Sequence, residues 1–190
     1  MKLSSLGYTS NWIKFKLLDE TLFNEQMEEF KNGNDQSTEQ FRYYTFVKWL
    51  DSKKEISDQD IDNYLSLAHE DEDQQMAGSA VRVLFTSNII TDEQFNVLKG
   101  ALANFGDWTK KVIQQEVLKR RLNKEILTFD LYRDCLTYKN DYADSRLLVN
   151  IINQTENEEI LGDFETNGCG KRIRTLACKK LNRVRKGIKS

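Results

Sequence analysis

A pair of apolar residues nine positions apart recurs about every 34 residues along this chain. The pairs are Val47 and Ile56, Val81 and Ile90, Leu118 and Leu127, and Ile152 and Leu161. Successive pairs are separated by 34, 37 and 34 residues. This period is typical of stacked helical hairpins, because a single hairpin cannot bury its apolar face alone. The spacing therefore predicts an all-α fold, an α-solenoid.

Polar residues mark the start of the second helix in each unit. The predicted caps are Asp19, Ser57, Thr91, Thr128 and Asn157. Side chains of these types accept hydrogen bonds from the unpaired amides of a first helical turn. Apolar residues follow at helical spacing, for example Ile61, Tyr64, Leu65 and Ala68 after Ser57.

The same pattern sets approximate boundaries. The first helices are predicted over residues 8–17, 38–53, 74–88, 108–123, 143–154 and 171–186, and the second helices fill the gaps. The repeat units are then 6–34, 38–73, 74–107, 108–142 and 143–170, followed by a terminal basic helix over 171–190. No segment alternates like a strand. With 190 residues and 39% hydrophobic residues, a single domain over 1–190 is expected.

The sequence carries little material for catalysis, metal binding or membrane insertion. No apolar run is long enough to cross a bilayer, and Met-Lys-Leu-Ser-Ser is not followed by the apolar core of a secretion signal. We expect a cytoplasmic, non-enzymatic protein without metal or cofactor. Cys135 falls on an apolar stripe and is expected in the core, while inert or solvated loop positions are favoured for Cys169 and His69.

The small net charge of −2 hides two opposed segments. Residues 171–190 contain nine Lys or Arg and no acid, so residues 1–170 hold 19 bases and 30 acids. The acids concentrate on the second helices and the bases on the first helices. In a solenoid, equivalent helices line one surface, which would give an acidic side. The alternative explanation is that these charges only complement helix dipoles and keep helix faces solvated.

Two segments resemble HEAT repeats, namely Leu65 to Leu84 (LSLAHEDEDQQMAGSAVRVL) and Gly170 to Leu181 (GKRIRTLACKKL). Val81-Arg82 and Ile173-Arg174 match the apolar-Arg step of that family, and Ala77, Gly78, Ala80 and Ala177 match its small residues. The chain lacks the family's first-helix proline, and it also lacks the tetratricopeptide markers. The resemblance implies a right-handed α-solenoid of about five HEAT-like hairpins that binds a partner along an extended surface.

Two classes of function follow from this interpretation. In the first, an acidic helical face captures a basic protein partner, and an immunity or antitoxin-type inhibitor of a toxin is one concrete form. Its predicted site residues are Asp62, Tyr64, Glu70, Asp71, Glu72, Asp73, Asp134 and Tyr138.

The second class is nucleic-acid binding, similar to HEAT-like DNA glycosylases of the alkylation-repair type. The candidate phosphate contacts lie on the basic helices 108–124 and 171–189: Lys110, Lys111, Lys119, Arg120, Arg121, Lys171, Arg172, Arg174, Lys179 and Lys180. Trp12, Trp49 and Trp108 are candidates for base stacking, although core packing is favoured for them. A third alternative is that the basic terminal helix covers the acidic face of its own chain or of a second copy.

Overall fold

The computed structural model describes residues 2–33, 37–136, 144–168 and 170–187. About 76% of the described residues are helical, and they include no strand. After a 3₁₀ turn at Leu3–Leu6, the described helices are α1 (Ser10–Lys14), α2 (Glu20–Asn32), α3 (Glu39–Asp51), α4 (Asp58–Glu70), α5 (Gln74–Phe85), α6 (Asp92–Ala103), α7 (Trp108–Lys124), α8 (Phe129–Leu136), α9 (Asp144–Gln154), α10 (Glu158–Asn167) and α11 (Gly170–Arg185). None of them is both long and apolar enough to span a membrane.

The helical periodicity predicted these elements closely. The six predicted first helices correspond to α1, α3, α5, α7, α9 and α11, and their ends agree to within three residues. The five second helices correspond to α2, α4, α6, α8 and α10. The all-α prediction is therefore confirmed.

The predicted caps are also confirmed. Ser57 Oγ accepts from the Asp60 N–H at 3.1 Å, and the Asp60 carboxylate accepts from the Ser57 N–H at 3.2 Å. Thr91 and Gln94 form the same reciprocal arrangement at the start of α6. The other three caps accept hydrogen bonds from first-turn amides; they are Asp19, Thr128 and Asn157. These contacts satisfy amides that have no partner within their helix, which explains why the helices begin where they do.

The chain divides into two compact units, residues 1–113 and 114–190, and α7 runs across the division. The first unit has 12 Lys and Arg against 19 Asp and Glu, a balance of −7. The second has 16 against 11, a balance of +5. The expectation of one domain over the whole chain stays a prediction, and each unit is described by itself.

In the first unit, α3 packs on α5, α4 packs on α5 and α6, and α5 packs on α6. Aromatic rings join these helices: the centroids of Trp12 and Phe46 are 4.5 Å apart, and those of Phe46 and Tyr64 are 4.4 Å apart. Tyr8 donates to Gln26 Oε1 inside this core, and burial raises the pKa of Tyr8 to about 12. The phenol is therefore neutral at physiological pH.

The second unit has its own apolar core. Helix α9 packs on α8 and α11, and α10 packs on α11. Ile151, Leu161 and Ala177 are fully buried there, together with Cys135. Tyr132 donates a hydrogen bond to the Asp163 carboxylate, and burial together with this carboxylate raises the pKa of its phenol. The expectation that Cys135 is a core residue is confirmed, whereas Cys169 lies outside the described residues.

Burial predicts that the Cys135 thiol is unreactive in the folded protein. Its side chain is inaccessible, and burial raises its pKa to about 11, so almost no thiolate exists at pH 7. In a variant with Cys169→Ser and Cys178→Ser, we expect 5,5′-dithiobis(2-nitrobenzoate) to label Cys135 about 100-fold more slowly in buffer than in urea. A variant that retains only the half-buried Cys178 is the control and should react faster. Equal rates for the two thiols would contradict this prediction.

Candidate protein-binding groove

Three aromatic side chains on the first helices of the first unit are exposed. Tyr43 and Tyr44 on α3 are 36% and 53% exposed, and Trp108 at the start of α7 is 40% exposed. Residues 41, 42, 45 and 46 form the buried face of α3, so the two consecutive tyrosines point away from the core. Large exposed aromatic groups near one another on a folded surface often indicate a binding site.

Two adjoining cavities connect Tyr43 to Trp108. Their volumes are about 460 and 410 Å³, and both are lined by Gln75 and Ser79 of α5. The first is also lined by Glu39, Gln40, Tyr43, Asp73 and Met76, and the second by Gln74, Arg82, Phe105 and Trp108. We call these two adjoining cavities together the first-helix groove. Its floor is the outer face of α5.

Gly78 allows Trp108 to lie close to α5. A Cβ atom at this position would be 2.9 Å from Phe105 Cβ and 3.0 Å from Trp108 Cζ2. Phe105 is itself stacked on the His69 ring, with centroids 5.4 Å apart and planes 7° from parallel. The indole is thus held against the groove by a close backbone approach that only glycine permits. The prediction that Gly78 is a small residue that permits close helix packing is confirmed.

The two ends of the groove differ in charge. Glu39 and Asp73 place carboxylates beside Tyr43, whereas Arg82 lies near Trp108. Asp73 Oδ1 also accepts from the amides of Gln75 and Met76 and so fixes the start of α5. A carboxylate next to an aromatic ring suits a Lys or Arg side chain, which gains both an ion pair and a cation–π contact. Tyr, Trp and Arg are also the residue types that contribute most to protein interfaces.

The prediction that Tyr64 is a partner-binding anchor is wrong. Tyr64 is 0% exposed, and its hydroxyl donates to the Ala80 carbonyl oxygen at 3.0 Å. Burial raises the pKa of this phenol well above its ordinary value. Position 64 belongs to the apolar stripe of α4, and the rings of Phe46 and Trp49 cover it.

Asp71 was also predicted as a surface contact, and this prediction is wrong. Its side chain is 2% exposed and forms a two-point ion pair with Arg42, at 2.6 Å to Nε and 3.0 Å to Nη2. Arg42 Nη1 donates to the Leu6 carbonyl oxygen and to Thr38 Oγ1, both at 3.0 Å. The pair therefore fastens the 3₁₀ turn, α3 and the loop after α4 together.

The remaining predicted acids lie in several separate settings. Asp62 and Glu72 are exposed. Glu70 is exposed and accepts from Asn11 and Ser66, while Asp73 is a helix cap within the first-helix groove. Asp134, in the second unit, forms an ion pair with Arg121, and Tyr138 lies outside the described residues.

The alternative nucleic-acid contacts divide into two groups. On α7, Lys110, Lys119 and Arg121 are each paired with a nearby acid, at 2.7, 2.9 and 3.1 Å. Lys111 and Arg120 of this helix are also engaged in contacts within the chain. On α11, by contrast, Lys171, Arg172 and Lys179 are exposed.

Two other bases of α11 that were candidates for nucleic-acid contacts form hydrogen bonds within the chain. Arg174 donates to the Gly168 carbonyl oxygen, and Lys180 donates to that of Asn153.

Core packing was the favoured prediction for all three tryptophans. It is confirmed for Trp12 and Trp49, which are buried, and it is wrong for Trp108, which is exposed. Trp108 begins α7, and its indole lies against Gly78 of α5 while 40% of the residue remains exposed.

Of the residues that line the groove, only Asp73 and Trp108 are among the site candidates predicted from the sequence. Tyr43 and Tyr44 were an available signal, since Phe41, Thr45 and Phe46 define an apolar side of α3 at helical spacing and leave both tyrosines off its centre. Gln75, Ser79 and Arg82 follow at helical spacing on the solvent side of α5. The sequence does not show which helices border these three residues, because that depends on how the helices pack together.

Among the described residues, no three His, Cys, Asp or Glu side chains are grouped as a metal site. Comparison with protein-family models, curated proteins and solved structures finds no match.

Proposed function

We propose that this chain is a non-enzymatic protein-binding module that holds a segment of a basic partner protein in the first-helix groove. The observation that carries the proposal is the pair of adjoining cavities between Tyr43 and Trp108. Alongside polar residues, the lining of the two cavities includes Tyr43, Met76, Arg82 and Trp108, which are residue types enriched at interface centres. The layered helices α3 to α6 support a HEAT-like solenoid as the scaffold of this module.

The charge of the first unit supports a basic partner. Its balance is −7, and the groove itself contributes Glu39 and Asp73 at one end. Exposed Asp62 and Glu72 add to the negative field that would attract a cationic protein and raise its association rate. The immunity or antitoxin-type inhibitor remains the concrete form of this proposal.

A site-specific photo-cross-linker tests where the partner binds. With p-benzoylphenylalanine at position 79 on the groove floor, we expect a discrete cross-linked partner protein from cells that produce this chain. Tyr43→Ala or Trp108→Ala should lower the yield about tenfold, because each removes an anchor from the centre of the interface. The partner is then identified by mass spectrometry of the cross-linked peptide.

Position 97 provides the matched control. Val97 is 55% exposed on α6, and it does not line the groove. The cross-linker at position 97 should give no such product, and Val97→Ala should leave the yield from position 79 unchanged. Cross-linking that is equal from both positions, or insensitive to Tyr43→Ala and Trp108→Ala, would exclude the groove as the site.

A further inference from the structure

Helix α11 presents a one-sided basic surface. Arg172, Lys179, Arg183 and Lys186 are all exposed. With 100° per residue the three that belong to α11, Arg172, Lys179 and Arg183, fall within about 40° of one another around the helix axis and span about 17 Å along it. Lys186 lies in the turn directly after the helix. We call these four residues the α11 basic stripe.

The opposite side of α11 is anchored in the core of the second unit. Ile173, Ala177 and Leu181 are 3%, 0% and 2% exposed, and α11 packs on α9 and α10. Because the helix is held by these residues, the stripe is fixed in place before any ligand arrives. Because the helix is already ordered, little backbone conformational entropy is lost when a ligand binds to these side chains.

The cations of the stripe are not neutralised by the described part of the chain. None of the four forms an ion pair with a described acid, whereas neighbouring Arg185 pairs with Glu158 at 3.2 Å. The bases of α7 differ, since Lys119 and Arg121 pair with acids on their own or an adjacent helix. The positive balance of the second unit is thus concentrated at α11.

We infer that the α11 basic stripe binds the phosphate backbone of a nucleic-acid duplex, without base specificity. Three cations over about 17 Å of α11, followed by Lys186, have no ion-pair partner among the described acids and match a polyanion with one charge per about 1.7 Å of axis. A bilayer is a poorer match, because interfacial helices insert exposed apolar side chains and no large apolar residue of α11 is exposed. This inference is independent of the groove and of the proposed protein partner.

The test is fluorescence anisotropy of the full chain with a labelled duplex of random sequence. We expect binding at about 50 mM salt that weakens with a log–log slope of about −3 to −4, since each phosphate contact contributes about −0.9. The variant Arg172→Gln, Lys179→Gln, Arg183→Gln should bind at least tenfold more weakly, and its slope should be shallower by about 2.5 to 3.

A second triple variant, which removes the same number of positive charges from the first unit, controls for the effect of net charge on duplex binding. Lys14, Lys54 and Lys99 are exposed lysines of the first unit, and changing all three to Gln should alter duplex affinity less than threefold. Circular dichroism of both variants checks that they remain helical.

Three outcomes would overturn the inference. These are no duplex binding at about 50 mM salt, equal losses in both triple variants, and stripe-dependent binding to phosphatidylserine vesicles without duplex binding. Stripe-dependent dimerisation in place of duplex binding would instead assign the stripe to a second copy of the chain.

Discussion

Replacing Asp71 by asparagine is expected to lower the free energy of unfolding of the first unit by about 3 to 5 kcal/mol. The substitution keeps the shape of the side chain but leaves the Arg42 guanidinium, 6% exposed, without a counter-charge. The Asp71 carboxylate also accepts a hydrogen bond from the Asp73 amide at 2.9 Å. In the variant, a neutral asparagine oxygen replaces this charged acceptor at the start of α5. Tryptophan fluorescence during urea unfolding measures the effect, because all three tryptophans lie in the first unit.

Asp107→Asn is the matched control for Asp71→Asn. Asp107 also forms an ion pair, with Lys110 at 2.7 Å, but the side chains are 93% and 74% exposed. Water screens this pair, and its loss should cost roughly 0 to 1 kcal/mol. In a double-mutant cycle, Arg42→Met combined with Asp71→Asn should cost less than the sum of the two single changes. Additive losses, or a cost of Asp71→Asn near that of Asp107→Asn, would contradict a coupled buried pair.

Gly78→Ala is expected to destabilise the first unit by about 1 to 3 kcal/mol and to move Trp108. The added methyl group would lie 2.9 Å from Phe105 Cβ and 3.0 Å from Trp108 Cζ2, so the aromatic rings must shift away from α5. Because Trp108 is one wall of the first-helix groove, its emission spectrum should change. Cross-linking of the proposed partner from position 79 should fall in parallel.

Gly100→Ala separates this effect from helix propensity. Gly100 is an exposed residue of α6, and a Cβ there would meet no atom within 4 Å. Alanine favours a helix over glycine by roughly 0.5 to 1 kcal/mol, so Gly100→Ala should stabilise the unit. If Gly78→Ala were also stabilising and left the Trp108 emission unchanged, the close packing of Trp108 on α5 would be disproved.

The helices could be predicted because their determinants are local. A cap such as Ser57 acts on an amide three residues away, and an apolar stripe is defined by spacings of three and four. The groove depends on contacts of longer range. Trp108 lies against Gly78, thirty positions earlier in the chain, and no local pattern encodes that approach.

The same distinction explains the errors at the predicted site. Tyr64 and Asp71 have the residue types of an interface. The apolar stripe of α4 already indicated burial of Tyr64, whereas nothing near Asp71 along the chain shows that its carboxylate is buried. Arg42 is 29 positions from Asp71, and their pairing requires that α3 already packs beside the end of α4. Exposure is a property of the assembled helices, whereas charge is a property of the sequence.

The sequence by itself determined the all-α fold, the order of the helices, their caps and the basic character of residues 171–190. Only the tertiary structure decided which side chains remain available to a partner. It buried Tyr64 and Asp71 and placed Tyr43 and Trp108 at adjoining cavities. It also paired Lys110, Lys119 and Arg121 of α7 with acids, whereas no described acid pairs with the α11 basic stripe. The physical reason is that hydrogen bonds and helical periodicity act over a few residues, while burial and ion pairing depend on helices that are distant in the chain.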